Sequence, residues 1–322
     1  MEVKLNMKKI LSLLCAGAIL VTAAGCGGEK VDRAATAPKV VSDTFTFTSG
    51  TFALNAVYTF IDDGEPHPTV LLIAGSGPAD CDETIGSLKP LADIADGLAE
   101  RGINSLRVEK RTLNYGTAFA PTDGIEEKYL IDCRAALDYA KSQASAGDIY
   151  ILGHSFGGPI ASVLASENRD IKGVVLFNSS VRNLAAIACD QYIRLDPENG
   201  SSYITYRDAA MNSTSETSAG LYYYGETDHY WATVNQVDTI RNLKNANVPL
   251  LIINSTFDNQ TFPDDIALWQ DNFGSADNAK IVVDDKISHF GYEIDTTDES
   301  VFLSEAEFPQ RIIEMFAAFV IR

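Results

Sequence analysis

The sequence predicts an α/β protein: a doubly wound, mostly parallel sheet with an N-terminal antiparallel hairpin and a small inserted lid. Three observations carry that prediction. From residue 69 onward, short apolar runs alternate with stretches of helical periodicity. The first two extended stretches instead alternate apolar and polar residues around a Ser-Gly turn. One interval, about 181–247, holds no apolar strand run but many aromatic residues. Strand and helix in alternation imply parallel strands buried on both faces, and right-handed crossovers put helices on both sides of the sheet. With 46% hydrophobic and 21% charged residues in 322, the chain has the composition of a globular protein able to bury such a core.

The first residues stand apart from that fold. Lys8 and Lys9 precede an apolar run from Ile10 to Ala24. At about 15 residues it suits a signal-peptide core and falls short of the roughly 20 that span a bilayer. The run closes on Ala23-Ala24-Gly25-Cys26, and small residues ahead of a cysteine resemble a bacterial lipobox, although Ala23 stands where leucine is commoner. The resemblance implies removal of residues 1–25, lipidation of Cys26 and an extracytoplasmic protein anchored to the cell membrane through that lipid alone. The alternative is an ordinary secretory signal and a released protein. Residues 26–42 mix Lys, Asp, Ala, Thr and Pro without periodicity and read as a tether, which leaves 43–322 as the folded domain.

Within that domain, Thr44–Thr48 and Phe52–Phe60 flank Ser49-Gly50 and form the hairpin, and Asp62-Asp63-Gly64 turns the chain. The buried strands follow at Thr69–Ala74, Ile103–Val108, Asp148–Leu152, Ile171–Phe177, Pro249–Asn254 and Lys280–Val283. Helices are expected at Pro90–Arg101, Ile125–Ser142, Gly158–Ser166, Phe262–Phe273 and Glu307–Val320. An interval as long as 181–247 inside a single domain is usually functional, and its Tyr223, Tyr230 and Trp231 are candidates to line an apolar or aromatic substrate pocket. The other reading is a helical excursion that only packs on the sheet.

A formal net charge of −19 with no basic stripe excludes nucleic acid as a natural partner, because phosphate binding needs clustered Lys and Arg. Beyond Cys26, the domain carries Cys81, Cys133 and Cys189. Their odd number and lack of metal-like spacing point to buried or free thiols, with a Cys81–Cys189 bridge as the alternative and no metal site.

The chemistry is concentrated at Gly153-His154-Ser155-Phe156-Gly157, which follows an apolar strand and opens a helix. At such an elbow the serine takes a strained backbone conformation that exposes its hydroxyl, and small neighbours let strand and helix approach. A serine becomes nucleophilic only beside a base held in one tautomer by an acid. Four histidines are available, and His289 lies just beyond the last strand, where a loop returns it to the elbow; His229 is next, with His154 and His67 less suited. Asp258 sits four residues past the strand ending at Asn254, at the carboxyl edge where ligands of such sheets bind, whereas Asp264 and Asp265 fall within the following helix. Two backbone N–H groups should face the developing oxyanion. Phe156, after the nucleophile, supplies one, and Ser76 in Ala74-Gly75-Ser76-Gly77-Pro78 supplies the other.

These residues, with Gly75–Pro78 leading into Asp82-Glu83-Thr84-Ile85-Gly86 and Leu98–Ile103 leading into Leu106–Arg111, resemble a bacterial carboxylesterase family of the α/β-hydrolase superfamily. The resemblance implies the α/β-hydrolase fold and hydrolysis of short to medium acyl esters, small molecules, with no cofactor. The chain departs from it at Cys81, where relatives often have arginine, and at Ser255, where a glycine commonly precedes the acid. Lys110 and Arg111 are expected to pair with the Asp80–Glu83 cluster. Two other readings stay open: a peptidase or acyltransferase on the same triad, and a lipoprotein that binds an apolar ligand without turnover. Oligomeric state is not encoded in these patterns.

Overall fold

The computed structural model describes residues 39–214, 220–294 and 306–321; the expected signal peptide, Cys26 and most of the expected tether lie outside them. Eight strands form one sheet in the order β1-β2-β4-β3-β5-β6-β9-β10. Strands β1 (Lys39–Ser49) and β2 (Phe52–Asp62) make the antiparallel hairpin, and β2 joins β4 (Asn104–Val108) antiparallel. The remaining neighbours, through β3 (His67–Ile73), β5 (Ala146–His154), β6 (Ile171–Phe177), β9 (Leu250–Ser255) and β10 (Ala279–Asp284), are all parallel.

The first strand starts at Lys39, four residues ahead of the expected domain start, because residues 39–42 continue the hairpin ladder onto Thr59–Asp62.

The period of two along each central strand divides the core between two faces. Leu71, Ile73, Ile149, Ile151, Val174 and Leu176 meet α3 (Ile131–Ser142) and α4 (Gly157–Glu167) on one face. Val70, Leu72, Leu152, Val175, Phe177 and Ile253 meet α1 (Pro90–Ala99) and α10 (Gln310–Val320) on the other. Because both faces are covered, these strands read as unbroken apolar runs. A short helix, α2 (Arg111–Tyr115), follows β4, and a π-helical turn at Glu126–Leu130 leads into α3.

The interval after β6 contains α5 (Leu184–Leu195), α6 (Gly200–Met211), a two-residue ribbon β7–β8 (Tyr222–Tyr223 and Glu226–Thr227), α7 (Asp228–Val234) and α8 (Thr239–Ala246). The helix α8 packs along α4, with Leu243 fully buried and Asn242 donating to Ser162 Oγ at 3.3 Å. It is therefore the crossover helix between β6 and β9, and the part that overhangs the carboxyl edge is shorter than 181–247. The last crossover runs through α9 (Pro263–Phe273), whose Trp269 is fully buried.

Of two expectations about side chains, that of free thiols holds, without the alternative bridge, and that of one ion pairing is corrected. Cys81 and Cys189 are free and unbridged: Cys81 Sγ donates to Asn55 O at 3.3 Å beside β2, and Cys189 is buried in α5. Arg111 pairs with buried Asp132 rather than with the Asp80–Glu83 cluster, where Asp82 is held by Arg107 at 2.8 Å and Lys89 at 3.1 Å. The turn into α2 carries the guanidinium toward α3. Lys110 stays near the cluster but donates to Gly77 O at 3.2 Å, with its ammonium 5.0 Å from the Tyr129 ring centroid.

Candidate active site

Ser155 is the first residue after β5 and has φ +52°, the left-handed region that a residue with a Cβ rarely occupies. Its own N–H is spent on Phe177 O at 2.9 Å, and its carbonyl accepts from Gly158 N at 3.0 Å. The two glycines flanking the elbow are required by close approach: a Cβ on Gly153 would collide with the Gly157 carbonyl, and one on Gly157 with the Ile73 carbonyl. Strand, elbow and helix therefore interlock, and the Ser155 side chain faces a cavity.

His289 lies in a tight turn beyond β10. Ser288 N donates to Tyr292 O at 2.8 Å and Gly291 N to Ser288 O at 3.0 Å, with Gly291 at φ +87°. The ring is 2% exposed, and its Nδ1 is 2.8 Å from Asp258 Oδ2. Asp258 sits in the turn after β9, where its carboxylate is saturated. Oδ1 accepts from Gln260 N at 2.7 Å and Thr261 N at 2.8 Å, and Oδ2 also accepts from Thr261 Oγ1 at 2.6 Å. Burial alone would raise the Asp258 carboxyl, but the adjacent His289 and the Thr261 hydrogen bonds outweigh it and hold the group below its ordinary value. An ionised carboxylate at Nδ1 fixes the proton there and leaves Nε2 as the basic nitrogen. Among the described residues the Ser155 hydroxyl and the His289 ring are not joined by a hydrogen bond, and contacts of this kind commonly tighten when substrate is bound.

Ser255 has a use at the position where relatives commonly carry glycine. Its Oγ donates to Ile287 O at 2.5 Å and accepts from Phe257 N at 3.0 Å, which ties the acid turn to the histidine loop.

The Gly75–Pro78 loop, expected to carry one oxyanion donor, is held from both sides. Gly75 N donates to Glu83 Oε1 at 2.6 Å, and Gly77 O accepts from Lys110. Among the described residues neither the Ser76 N–H nor the Phe156 N–H donates to a protein acceptor, and both residues line the cavity with Ser155. That cavity has a volume of about 610 Å³. Tyr129, Tyr224, Tyr230 and Trp231 contribute its aromatic wall, and of the expected pocket residues Tyr223 does not. The Tyr223 carbonyl accepts from Trp231 Nε1 at 2.8 Å, and its ring lies 6.1 Å from that of Tyr206, so Tyr224 takes its place.

The other candidates are elsewhere. His67 pairs with Asp63 at 3.0 Å at the opposite end of β3, His229 opens α7, Asp264 is exposed on α9, and Asp265 is buried against Ser180 and Arg182. Sequence reasoning missed Glu83, which reaches His154, and Asn178, whose Nδ2 donates to His289 O at 2.8 Å. A signal for Asn178 was present: an asparagine directly after a strand tolerates left-handed backbone, and it has φ +44°.

No family model matches the chain. It is 28% identical over 261 residues to esterase EstD of Thermotoga maritima, a match that covers 80% of this chain and 63% of that protein. Among solved structures, Est1E from Butyrivibrio proteoclasticus has a TM-score of 0.58 at 17% identity, over 86% of this chain and 98% of that one. The same protein is also known with ferulic acid bound. An acylaminoacyl peptidase from Pyrococcus horikoshii has a TM-score of 0.59 at 16% identity, over 88% of this chain and 42% of that one. Sheet order, elbow and these neighbours define the α/β-hydrolase fold. The chain's relatives by sequence and shape include esterases, EstD of Thermotoga maritima among them.

Proposed function

We propose that the protein is a serine hydrolase that cleaves carboxylic esters through Ser155, His289 and Asp258. One observation carries the reading: a strained serine at the strand-to-helix elbow opens onto a lined cavity, while Asp258 holds His289 at 2.8 Å on the same sheet edge. Ser155 Oγ attacks the ester carbonyl and gives its proton to His289 Nε2, and Asp258 stabilises the imidazolium so formed. The Ser76 and Phe156 N–H groups bind the oxyanion. His289 returns the proton to the departing alcohol, and a water activated by the same nitrogen releases the acid from the acyl-enzyme.

The aromatic wall supports acyl groups that are short to medium or aromatic, and the likeness to a protein known with ferulic acid bound makes feruloyl esters a natural probe. Turnover of p-nitrophenyl butyrate and covalent labelling by a fluorophosphonate should both vanish in Ser155→Ala. Equal rates in wild type and variant would refute the reading. Failure of amide substrates where esters turn over separates an esterase from a peptidase on the same groups. The lipobox-like Ala23–Cys26 supports an exported, membrane-anchored protein. Metabolic incorporation of radiolabelled palmitate that survives Cys26→Ser would overturn that placement.

A further inference from the structure

The elbow carries a second histidine beside the nucleophile, and it has a carboxylate of its own. His154 Nδ1 lies 2.9 Å from both oxygens of Glu83, and its Nε2 lies 2.9 Å from the carbonyl oxygen of His289. Glu83 Oε1 also takes the Gly75 N–H of the oxyanion loop. His154 is 2% exposed and Glu83 8%, and neither lines the cavity.

We propose that Glu83 and His154 are positioning residues: a buried, charged carboxylate–imidazolium pair that holds the oxyanion loop and the His289 loop in register across the nucleophile. The proposal rests on the esterase reading above.

The charge state follows from geometry. A peptide carbonyl only accepts hydrogen bonds, and so does an ionised carboxylate. Both nitrogens of the His154 ring therefore face acceptors, and the ring satisfies both only when it carries two protons. The surroundings agree. Burial alone would raise Glu83 and lower His154, yet each is displaced the opposite way by the other. Lys110, lowered to about 8 by burial and raised in the opposite sense by Glu83, also acts on the carboxylate as a nearby cation. The groups facing the ring are thus Glu83, the His289 ring at 4.8 Å between centroids and, further off, Asp258, with Phe177 and Phe290 closing the apolar sides.

The neutralising carboxylate matters to turnover. An uncompensated imidazolium beside His289 would oppose the second imidazolium that must form when Ser155 gives up its proton. Glu83 cancels that field while its other contact fixes Gly75, one residue before the proposed donor Ser76. A single rigid pair therefore sets the base and the oxyanion donor relative to each other.

Two substitutions and one spectrum test this. Glu83→Ala should lower kcat about 100-fold with KM within about threefold, since the cavity lining is untouched. Glu83→Gln keeps an acceptor for Gly75 N–H and offers an N–H to Nδ1, so a neutral His154 can be accommodated. It should recover kcat to within about tenfold of wild type. In protein labelled with ¹⁵N-histidine, one of the four rings should remain doubly protonated at pH 8, vanish in His154→Gln, and become neutral in Glu83→Gln. A neutral His154 tautomer in the wild type, or a kcat unchanged in folded Glu83→Ala, overturns the proposal while leaving the esterase reading intact. An active Ser155→Ala would instead sink the esterase reading, and the ¹⁵N spectrum would still report the charge of the pair.

Discussion

Asp258→Asn isolates the electrostatic half of the proposed machinery, because the carboxylate's four donors dictate how the amide must sit. Two of them, Gln260 N and Thr261 N, are backbone groups on Oδ1 and cannot turn away. The amide oxygen must occupy that side, which directs the NH₂ toward Thr261 Oγ1 and His289 Nδ1. The hydroxyl can rotate to accept, but Nδ1 can accept only by giving up its proton, so the proton moves to Nε2. His289 is then in the tautomer that cannot take a proton from Ser155. The expected loss in kcat is about 10⁴-fold, equivalent to about 5.4 kcal/mol of transition-state stabilisation. Stability should fall much less, by about 1–3 kcal/mol, since only the charge-assisted part of each hydrogen bond is lost. The assay is p-nitrophenyl butyrate turnover beside a thermal melt, with Asp265→Asn as the contrast. Asp265 is fully buried and paired with Arg182 at 2.8 Å, so its change should cost about 3–5 kcal/mol in stability and lower activity only in proportion to folded protein. Asp258→Asn within tenfold of wild type, or Asp265→Asn abolishing turnover in a fully folded sample, would refute the assignment.

The remaining predictions concern the cavity and acid. Trp231 is 3% exposed and lines the cavity, whereas Tyr223 does not. Trp231→Ala should cost about 3–5 kcal/mol of stability and shift acyl preference toward bulkier esters, while Tyr223→Ala leaves the preference unchanged; a series of p-nitrophenyl and feruloyl esters decides, and identical profiles for Trp231→Ala and wild type would exclude this wall from specificity. For acid stability the sign follows from Asp258 and Glu83, both held below their ordinary 3.8 and 4.5. The unfolded chain binds their protons first, so their contribution is complete above about pH 4.5 and is lost as pH falls through those values and then the lower folded ones. His154, raised from 6.5, runs oppositely: its contribution is complete below that value and fades as pH rises through the folded one. Urea midpoints across pH should show both flanks, and an acid flank as steep in Glu83→Gln as in wild type would contradict the Glu83 part.

The parallel strands were legible because a strand buried on both faces has no polar alternation to obscure it; Ile171–Phe177 matches its predicted bounds. The edge strand β1 was less so. Its Lys39–Ser42 start has one partner and mostly exposed side chains, so nothing in its composition separates it from a tether. Within the insertion, α6 has a single buried residue, Ala210, and therefore no apolar stripe to announce a helix. The positions of Ser155, His289 and Asp258 on one sheet edge could be read from their distance past a strand end. The partners of Glu83 and Asn178 could not, because they lie 71 and 111 residues away and the contacts exist only once two loops meet over the sheet edge, although the asparagine directly after a strand was itself a visible signal.

That meeting point explains why one carbonyl is gripped twice. Asn178, at the end of β6, and His154, at the end of β5, both reach His289 O, at 2.8 and 2.9 Å. Asn178 Oδ1 accepts from Ser255 N at 3.0 Å at the end of β9, and Ser255 Oγ returns to Ile287 O in the histidine loop. Three adjacent parallel strands thus end in side chains that converge on the loop bearing His289. That loop has little regular structure to stiffen it, only an isolated antiparallel bridge between Ile287 and Glu293 closed by one turn. Rigidity has to be imported from the sheet, and polar groups are the means, because a peptide carbonyl buried without partners would be costly. His289 and Asp258 are sealed by this arrangement, and Ser155 is the member of the three that lines the cavity. On the proposed reading, substrate and the deacylating water both arrive from the lid side. On the proposed esterase reading, the residues of α5 and α7 that line the cavity govern acyl choice and hydrolytic access together, and a change in that wall that admits larger esters should also alter the rate at which the acyl-enzyme meets water.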